Sequence, residues 1–179
     1  MPRDFSTTTK LLDGADVAIR RLDAGDYDAV VRLATELNSE ERYQRFFTAH
    51  PAYIGEWALS LTAPAAGIVA FGVFEDGDLI GLANYAELPT PGDAEIAAVV
   101  AHEQHERGVG TALLRALGRI ARSAGRHRFV ADVLAENHAM RRVITDAGWP
   151  TTQHIDGSVL RVEVDLDDID DDSVEGRTV

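Results

Sequence analysis

Residues 94–111 read AEIAAVVAHEQHERGVGT, and this stretch decides the fold. It runs from an apolar, β-like segment into a glycine-containing turn and then straight into an amphipathic helix. A glycine turn feeding a helix N-terminus points several free backbone N–H groups at one spot, and the helix dipole adds partial positive charge there. Gly108 and Gly110 carry no Cβ, so close backbone approach to a phosphate is expected at both. Glu95 stands upstream, on the strand itself. A phosphate cradle fed by a carboxylate-bearing strand points to group transfer from a phosphorylated carrier.

Other glycine loops fit less well. A P-loop needs G-x-x-x-x-G-K-[ST], and no lysine follows these glycines. A dinucleotide fingerprint needs G-x-G-x-x-G, and its third glycine position is Leu113 here. R-G-x-G alone is a weak signal. The strand before it and the helix after it raise it above a mere turn.

HERGVG, running into Thr111 and preceded by the Glu95 strand, resembles motif A of the GNAT acyl-CoA N-acetyltransferases, written Q/R-x-x-G-x-G/A. The first motif position, usually Gln or Arg, is His105. Residues 132–149, DVLAENHAMRRVITDAGW, resemble the second half of the same family, where an asparagine follows a strand and a short helix ends at Gly-Phe or Gly-Trp. The resemblance spans roughly residues 17–166. Within the family, SEERYQRFF (39–47), the AEI start and RFVADVLAENHAM (128–140) look like the catalytic domain of bacterial protein lysine acetyltransferases, which modify acyl-CoA synthetases. Some of those carry a cyclic-nucleotide or CoA-ligase-like domain, for which 179 residues leave no room.

The resemblance implies an α/β fold: a mixed, mostly antiparallel sheet, helices on both faces, and a splay at the phosphate-bearing strand. It implies acetyl-CoA as cosubstrate. Backbone groups of Val99, Val100 and Ala101 would hold the acetyl oxygen and pantetheine, though Val99 and Val100 also read as plain core. His105, Glu106, Arg107, Gly108, Val109, Gly110 and Thr111 would form the pyrophosphate loop. Asn137 resembles the family asparagine that contacts the cofactor; equally, it is the N-cap of its helix. Glu95 matches the base of the lysine acetyltransferases. Many members place an acidic tyrosine where this chain has Ile144, and no tyrosine follows Tyr85. In the resembling enzymes the helix holding Tyr43 and Arg45 borders the acceptor groove.

The chemistry asks for such a base. The attacking amine must be neutral, whereas a lysine titrates at about 10.4. A carboxylate must take a proton, directly or through water. The apolar strand neighbours of Glu95 are expected to desolvate it, which makes a carboxylate more basic. A surface or ion-pair role for Glu95 is the plainer alternative. A thiolate leaves readily, so water can serve in place of an acid.

Composition narrows the setting. A chain of 179 residues suits one domain with a sizeable core, and 45% apolar content argues against disorder of the whole. There is no cysteine, hence no disulfide or thiolate nucleophile. No apolar leader or membrane-length run is visible, so a cytoplasmic protein without membrane contact is expected. A net charge of −13 argues against nucleic acid as partner. Between Arg107 and Arg142, however, eight arginines face two acids, about +6, leaving about −19 elsewhere. The basic island suits a phosphorylated carrier, and the acidic remainder suits a cationic amine or a lysine-bearing protein surface. Arg115, Arg119 and Arg122, at i, i+4 and i+7, also read as a solvated helix face. His102 and His105 do not complete H-E-x-x-H, because position 106 is Glu, so no metal is expected.

Residues 1–15 read as a flexible arm, 16–166 as the catalytic domain and 167–179 as an acidic disordered tail. Inside the domain, residues 17–22 read as a strand. Helices follow, with a cap at Asp23 and others starting near Ser39 and Tyr53. Residues 68–74 and 79–88 form a hairpin about Gly77. After the Glu95 strand come a helix over 110–124, a strand over 129–134, a helix over 137–147, and a hairpin turning at Gly157. Three functions remain open: acetylation of a protein lysine, acetylation of a small amine such as a polyamine, aminoglycoside or amino acid, and non-catalytic acyl-CoA sensing.

Overall fold

The computed structural model describes residues 5–48, 50–63 and 66–169. Among these, eight strands form one sheet in the order β1-β2-β3-β4-β5-β6-β8-β7. They are β1 (Ser6–Lys10), β2 (Asp16–Arg21), β3 (Ile68–Glu75), β4 (Asp78–Glu87), β5 (Asp93–Val100), β6 (Arg128–Leu134), β7 (Thr151–Asp156) and β8 (Val159–Asp165). Every neighbouring pair is antiparallel except β5 with β6, which is parallel. The expected α/β fold, with its mixed and mostly antiparallel sheet, is present.

Helices α1 (Tyr27–Glu36), α2 (Ser39–Phe46) and α3 (Ile54–Thr62) precede the β3–β4 hairpin. Two of their starts use the expected polar chemistry. Asp23 and Asp26 form a reciprocal capping box that opens a short 3-10 turn before α1. At α2 the cap lies one residue before Ser39: Asn38 accepts from the Glu41 N–H and Glu41 accepts from the Asn38 N–H. α4 (Val109–Ser123) and α5 (His138–Asp146) come later. Gly125, at φ +76°, ends α4 as a left-handed stop.

Two apolar layers hold the sheet. Leu113, Leu114 and Leu117 of α4, with Ile144 of α5 and Trp149, pack on Phe71, Tyr85, Ile96 and Phe129. On the other face Val30 and Leu33 of α1 and Ala58 and Leu61 of α3 pack on Leu82 and Val99. Each fully buried leucine stabilises the fold by roughly 1.5–3 kcal/mol, so α4 alone anchors its face with several such side chains.

The N-terminal arm needs correction. Along its described length it is the edge strand β1, paired with β2 from Ser6↔Arg20 to Lys10↔Asp16. Leu11 is buried, and the Leu12 N–H donates to the Arg107 carbonyl at 3.0 Å. The five residues STTTK are polar on both faces yet satisfy their backbone on β2. At the other end, the expected tail begins with an ordered stretch. Ile169 is buried, and its carbonyl accepts from Arg122 Nη1 at 3.0 Å. Residues 170–179 of that tail lie outside the described residues. Among the described residues, no helix is long and apolar enough to cross a membrane.

Candidate active site

The parallel seam is short. β5 and β6 pair only at Asp93↔Arg128, Ala94↔Phe129 and Glu95↔Val130, after which β5 runs on to Val100 paired with β4 but not with β6. This is the expected splay. Backbone groups alternate sides along a strand. Ala101 donates to the Ile80 carbonyl on β4 at 3.0 Å, which turns the odd residues, Val99 among them, toward β4 as well. Ala98 therefore offers its N–H and C=O to the opening and Val100 its N–H, while the Val100 carbonyl is met by His105 Nε2. Of the three residues expected there, Val100 turns its N–H to the opening while Val99 and the Ala101 N–H face β4; Ala98 joins Val100, and backbone direction leaves no side-chain signal in the sequence.

Below the splay lies the glycine loop. Glu106 (φ +65°) and Gly108 (φ +85°) are both left-handed, and Gly108 caps α4 without a side-chain hydrogen bond. Among the described residues, no N–H of positions 106–111 makes a backbone hydrogen bond of good geometry. Consecutive free N–H groups around left-handed residues make a concave anion nest, reinforced here by a helix N-terminus. Thus Glu106, Arg107, Gly108, Val109, Gly110 and Thr111 come together as one backbone cradle. Each of the two glycines also has a local structural reason. Gly108 provides the positive φ. A Cβ on Gly110 would stand 2.9 Å from Val143 Cγ2, so its smallness lets α4 meet α5.

Arg107 is not a free cation. Its guanidinium donates to Asp13 Oδ2 at 2.5 Å, to both Glu75 oxygens at 2.9 and 2.7 Å, and to Gln104. These partners hold the Asp13 and Glu75 carboxyls below their ordinary range and raise Arg107. The side chain clamps the loop to the β1–β2 turn and the end of β3. Other arginines of the basic island are similarly engaged: Arg126 reaches Glu87, and Arg128 reaches Asp93 and Glu163. The cradle therefore presents backbone N–H groups rather than the Arg107 charge.

Glu95 lies at the mouth of the splay and is exposed, so its strand neighbours do not supply the expected desolvation. Arg45 of α2 feels its charge. The Arg45 Nη2 donates to Asn84 Oδ1 at 3.5 Å, and the guanidinium lies 5.2 Å from the Phe46 ring and 5.3 Å from the Trp57 ring. Its Nε is buried with no partner among the described residues. Burial pushes Arg45 down to about 10, against the opposing pull of Glu95. Asn84, the single polar side chain buried within the β4 run, was legible as an oddity in LIGLANYAE but went unassigned.

Asn137 caps α5: its Oδ1 accepts from the Met140 N–H at 3.0 Å. The expected cap role is filled, leaving its amide nitrogen for other work. Ile144, at the position of the family tyrosine, is buried in the α4 layer, and Tyr85 is buried in the same layer. His105 turns back on β5, its Nε2 lying 3.1 Å from the Val100 carbonyl. His102 Nδ1 meets Glu41 Oε1 at 2.6 Å.

Comparison with known proteins agrees with this geometry. The family described as the acetyltransferase (GNAT) domain matches residues 16–149. The GNAT domain of S. lividans PAT superposes with TM-score 0.81 at 27% identity, covering 89% of this chain and 96% of that one. A cAMP-binding acyltransferase from Mycobacterium smegmatis matches with TM-score 0.63 at 22% identity over 96% of this chain, which spans 52% of that protein's length. RimJ of Mycobacterium smegmatis, solved with CoA-disulfide, shares the fold at TM-score 0.68 and 16% identity, with 97% and 92% of the two chains covered. A splayed parallel seam, an anion nest opening α4 and a family match across most of the chain lead to one conclusion: this protein belongs to the GNAT family of acetyl-CoA-dependent acyltransferases.

Proposed function

We propose that this enzyme acetylates the Nε of a lysine on a protein surface, with Glu95 as general base. The observation that carries the reading is the position of Glu95 on the last rung before β5 and β6 part. There the carboxylate lies next to the opening between β5 and β6, where a thioester could meet an amine. The free Val100 N–H is aimed into that gap and suits a carbonyl oxygen. The nest at 106–111 suits the pyrophosphate of coenzyme A, and the Asn137 amide is free to contact the same ligand.

The residues divide the work simply. Glu95 accepts a proton from the incoming ammonium, directly or through water. The amine nitrogen then bonds to the acetyl carbon as the carbon–sulfur bond breaks, and the second proton of that nitrogen passes, directly or through water, to the departing thiolate. Acetyl-CoA supplies the activated acyl group. An exposed Glu95 suits a protein acceptor, because the acceptor itself seals the site from water. The likeness to the GNAT domain of S. lividans PAT supports the same acceptor class.

Incubating the purified protein with radiolabelled acetyl-CoA and a cell lysate tests the reading. Label in the protein fraction, lost with Glu95→Gln, is expected. Label confined to small molecules would replace the lysine with a metabolite amine. Binding of acetyl-CoA without transfer would leave a sensor.

A further inference from the structure

We infer that Glu41, His102 and His105 form a binding site for one divalent transition-metal ion of the zinc class. Glu41 stands in the first turn of α2, while the two histidines flank the 3-10 turn that follows β5. One ligand atom from each lies within 4.8 Å of the other two. Glu41 Oε1 is 2.6 Å from His102 Nδ1 and 3.7 Å from His105 Nε2. Tetrahedral bonds of about 2.0 Å to zinc place neighbouring ligand atoms about 3.3 Å apart. The two observed separations bracket that value, so small side-chain rotations admit an ion.

The donor set selects the metal. Two imidazoles and one carboxylate favour zinc, cobalt or nickel over magnesium and calcium, which take oxygen ligands. The anionic ligand is already fixed in place. Glu41 Oε2 accepts the Asn38 N–H at 3.0 Å, which orients Oε1 toward the histidines. Glu41 is largely buried whereas His102 is 67% exposed along its side chain, so solvent reaches the site and a fourth ligand can be water.

Binding changes the splay. A carbonyl only accepts, so His105 Nε2 carries a proton where it faces the Val100 carbonyl. A metal ion on Nε2 selects the tautomer with the proton on Nδ1, so the proton moves through solvent from one ring nitrogen to the other and the Val100 carbonyl is freed. The ion also ties α2, which carries Arg45, to the end of β5 and the start of the cofactor loop. It acts as a structural latch and takes no part in acyl transfer.

Zinc titration by calorimetry on the tag-free chain, without acetyl-CoA or acceptor, tests the site. One zinc per chain is expected, and cobalt at the same stoichiometry should show the absorption of a four-coordinate centre. His102→Ala and Glu41→Gln should each weaken binding at least about tenfold. Glutamine at position 41 preserves the α2 capping box, so this loss is not a loss of fold. His127→Ala should bind as the native chain does. No stoichiometric uptake, or native affinity in either ligand variant, would overturn the site.

Discussion

Glu95 and Val130 form the last rung between β5 and β6, and the sheet opens immediately beyond them. The proposed base therefore sits on a residue paired with β4 on one side and β6 on the other, at the edge of the opening. Glu95→Gln keeps the shape and removes the proton acceptor. Turnover should fall by about 10²–10⁴-fold, with acetyl-CoA binding by equilibrium dialysis unchanged. Native turnover would exclude Glu95 from proton transfer.

Arg45 should show a split between stability and activity. The residue is half-buried, its Nε is buried with no partner among the described residues, and its guanidinium touches Asn84 only at 3.5 Å. Burying a cation so sparsely bonded is costly, and an apolar replacement of similar length often costs nothing. Arg45→Met should unfold within about 1 kcal/mol of the native chain in urea, or later. Turnover should drop, because the positive charge facing Glu95 is gone. A large destabilisation with native turnover would show Arg45 to be purely structural.

The Arg107 clamp makes stability depend on acid. Hydrogen bonds from Arg107 depress the Asp13 and Glu75 carboxyls in the folded state. A depressed folded value adds stability above the unfolded value, near pH 4 for these groups, and that stability disappears as pH falls through the folded value. Thermal melts should therefore show native melting temperature decreasing below about pH 4. In Arg107→Gln the same decline should be shallower, with the starting temperature lower. Parallel curves would show that the clamp contributes nothing to pH dependence.

Gly110 should be intolerant for a packing reason. Its added Cβ would meet the branched and stiff Val143 at 2.9 Å. Gly110→Ala should destabilise by about 1–3 kcal/mol. Combined with Val143→Ala, part of that loss should return, giving a coupling of about 0.5–3 kcal/mol in a double-mutant cycle. Additive losses would place the constraint in the ligand cradle instead.

Much of this was legible in the sequence. The α4 leucines recur at helical spacing, and glycines 77, 125 and 157 mark turns at which φ is positive. The Glu95 strand, the nest and the Asn137 cap were legible because each is a local pattern. β1 was not, since STTTK lacks an apolar face and its stability comes from pairing with β2. Nor was the clamp: Arg107 meets Asp13 and Glu75 across 94 and 32 residues of chain. The expected desolvation of Glu95 failed because apolar neighbours in sequence point to both faces of a strand, and an edge at the splay leaves the carboxylate open. Glu41 joins His102 across 61 residues, a distance no spacing rule covers.

The short parallel seam also bears on the order of assembly. β3, β4 and β5 are consecutive antiparallel neighbours, and β7 with β8 is a hairpin, so both groups can zip from local turns. The β5–β6 rungs instead require α4 to cross the sheet before they close. Closure of that seam should come late, and pulsed hydrogen exchange should protect β3 and β4 before it protects β6. Early protection of β6 against β5 would reverse the order. A chain caught before that step would hold both hairpins and still lack the opening beside which Glu95 is proposed to act.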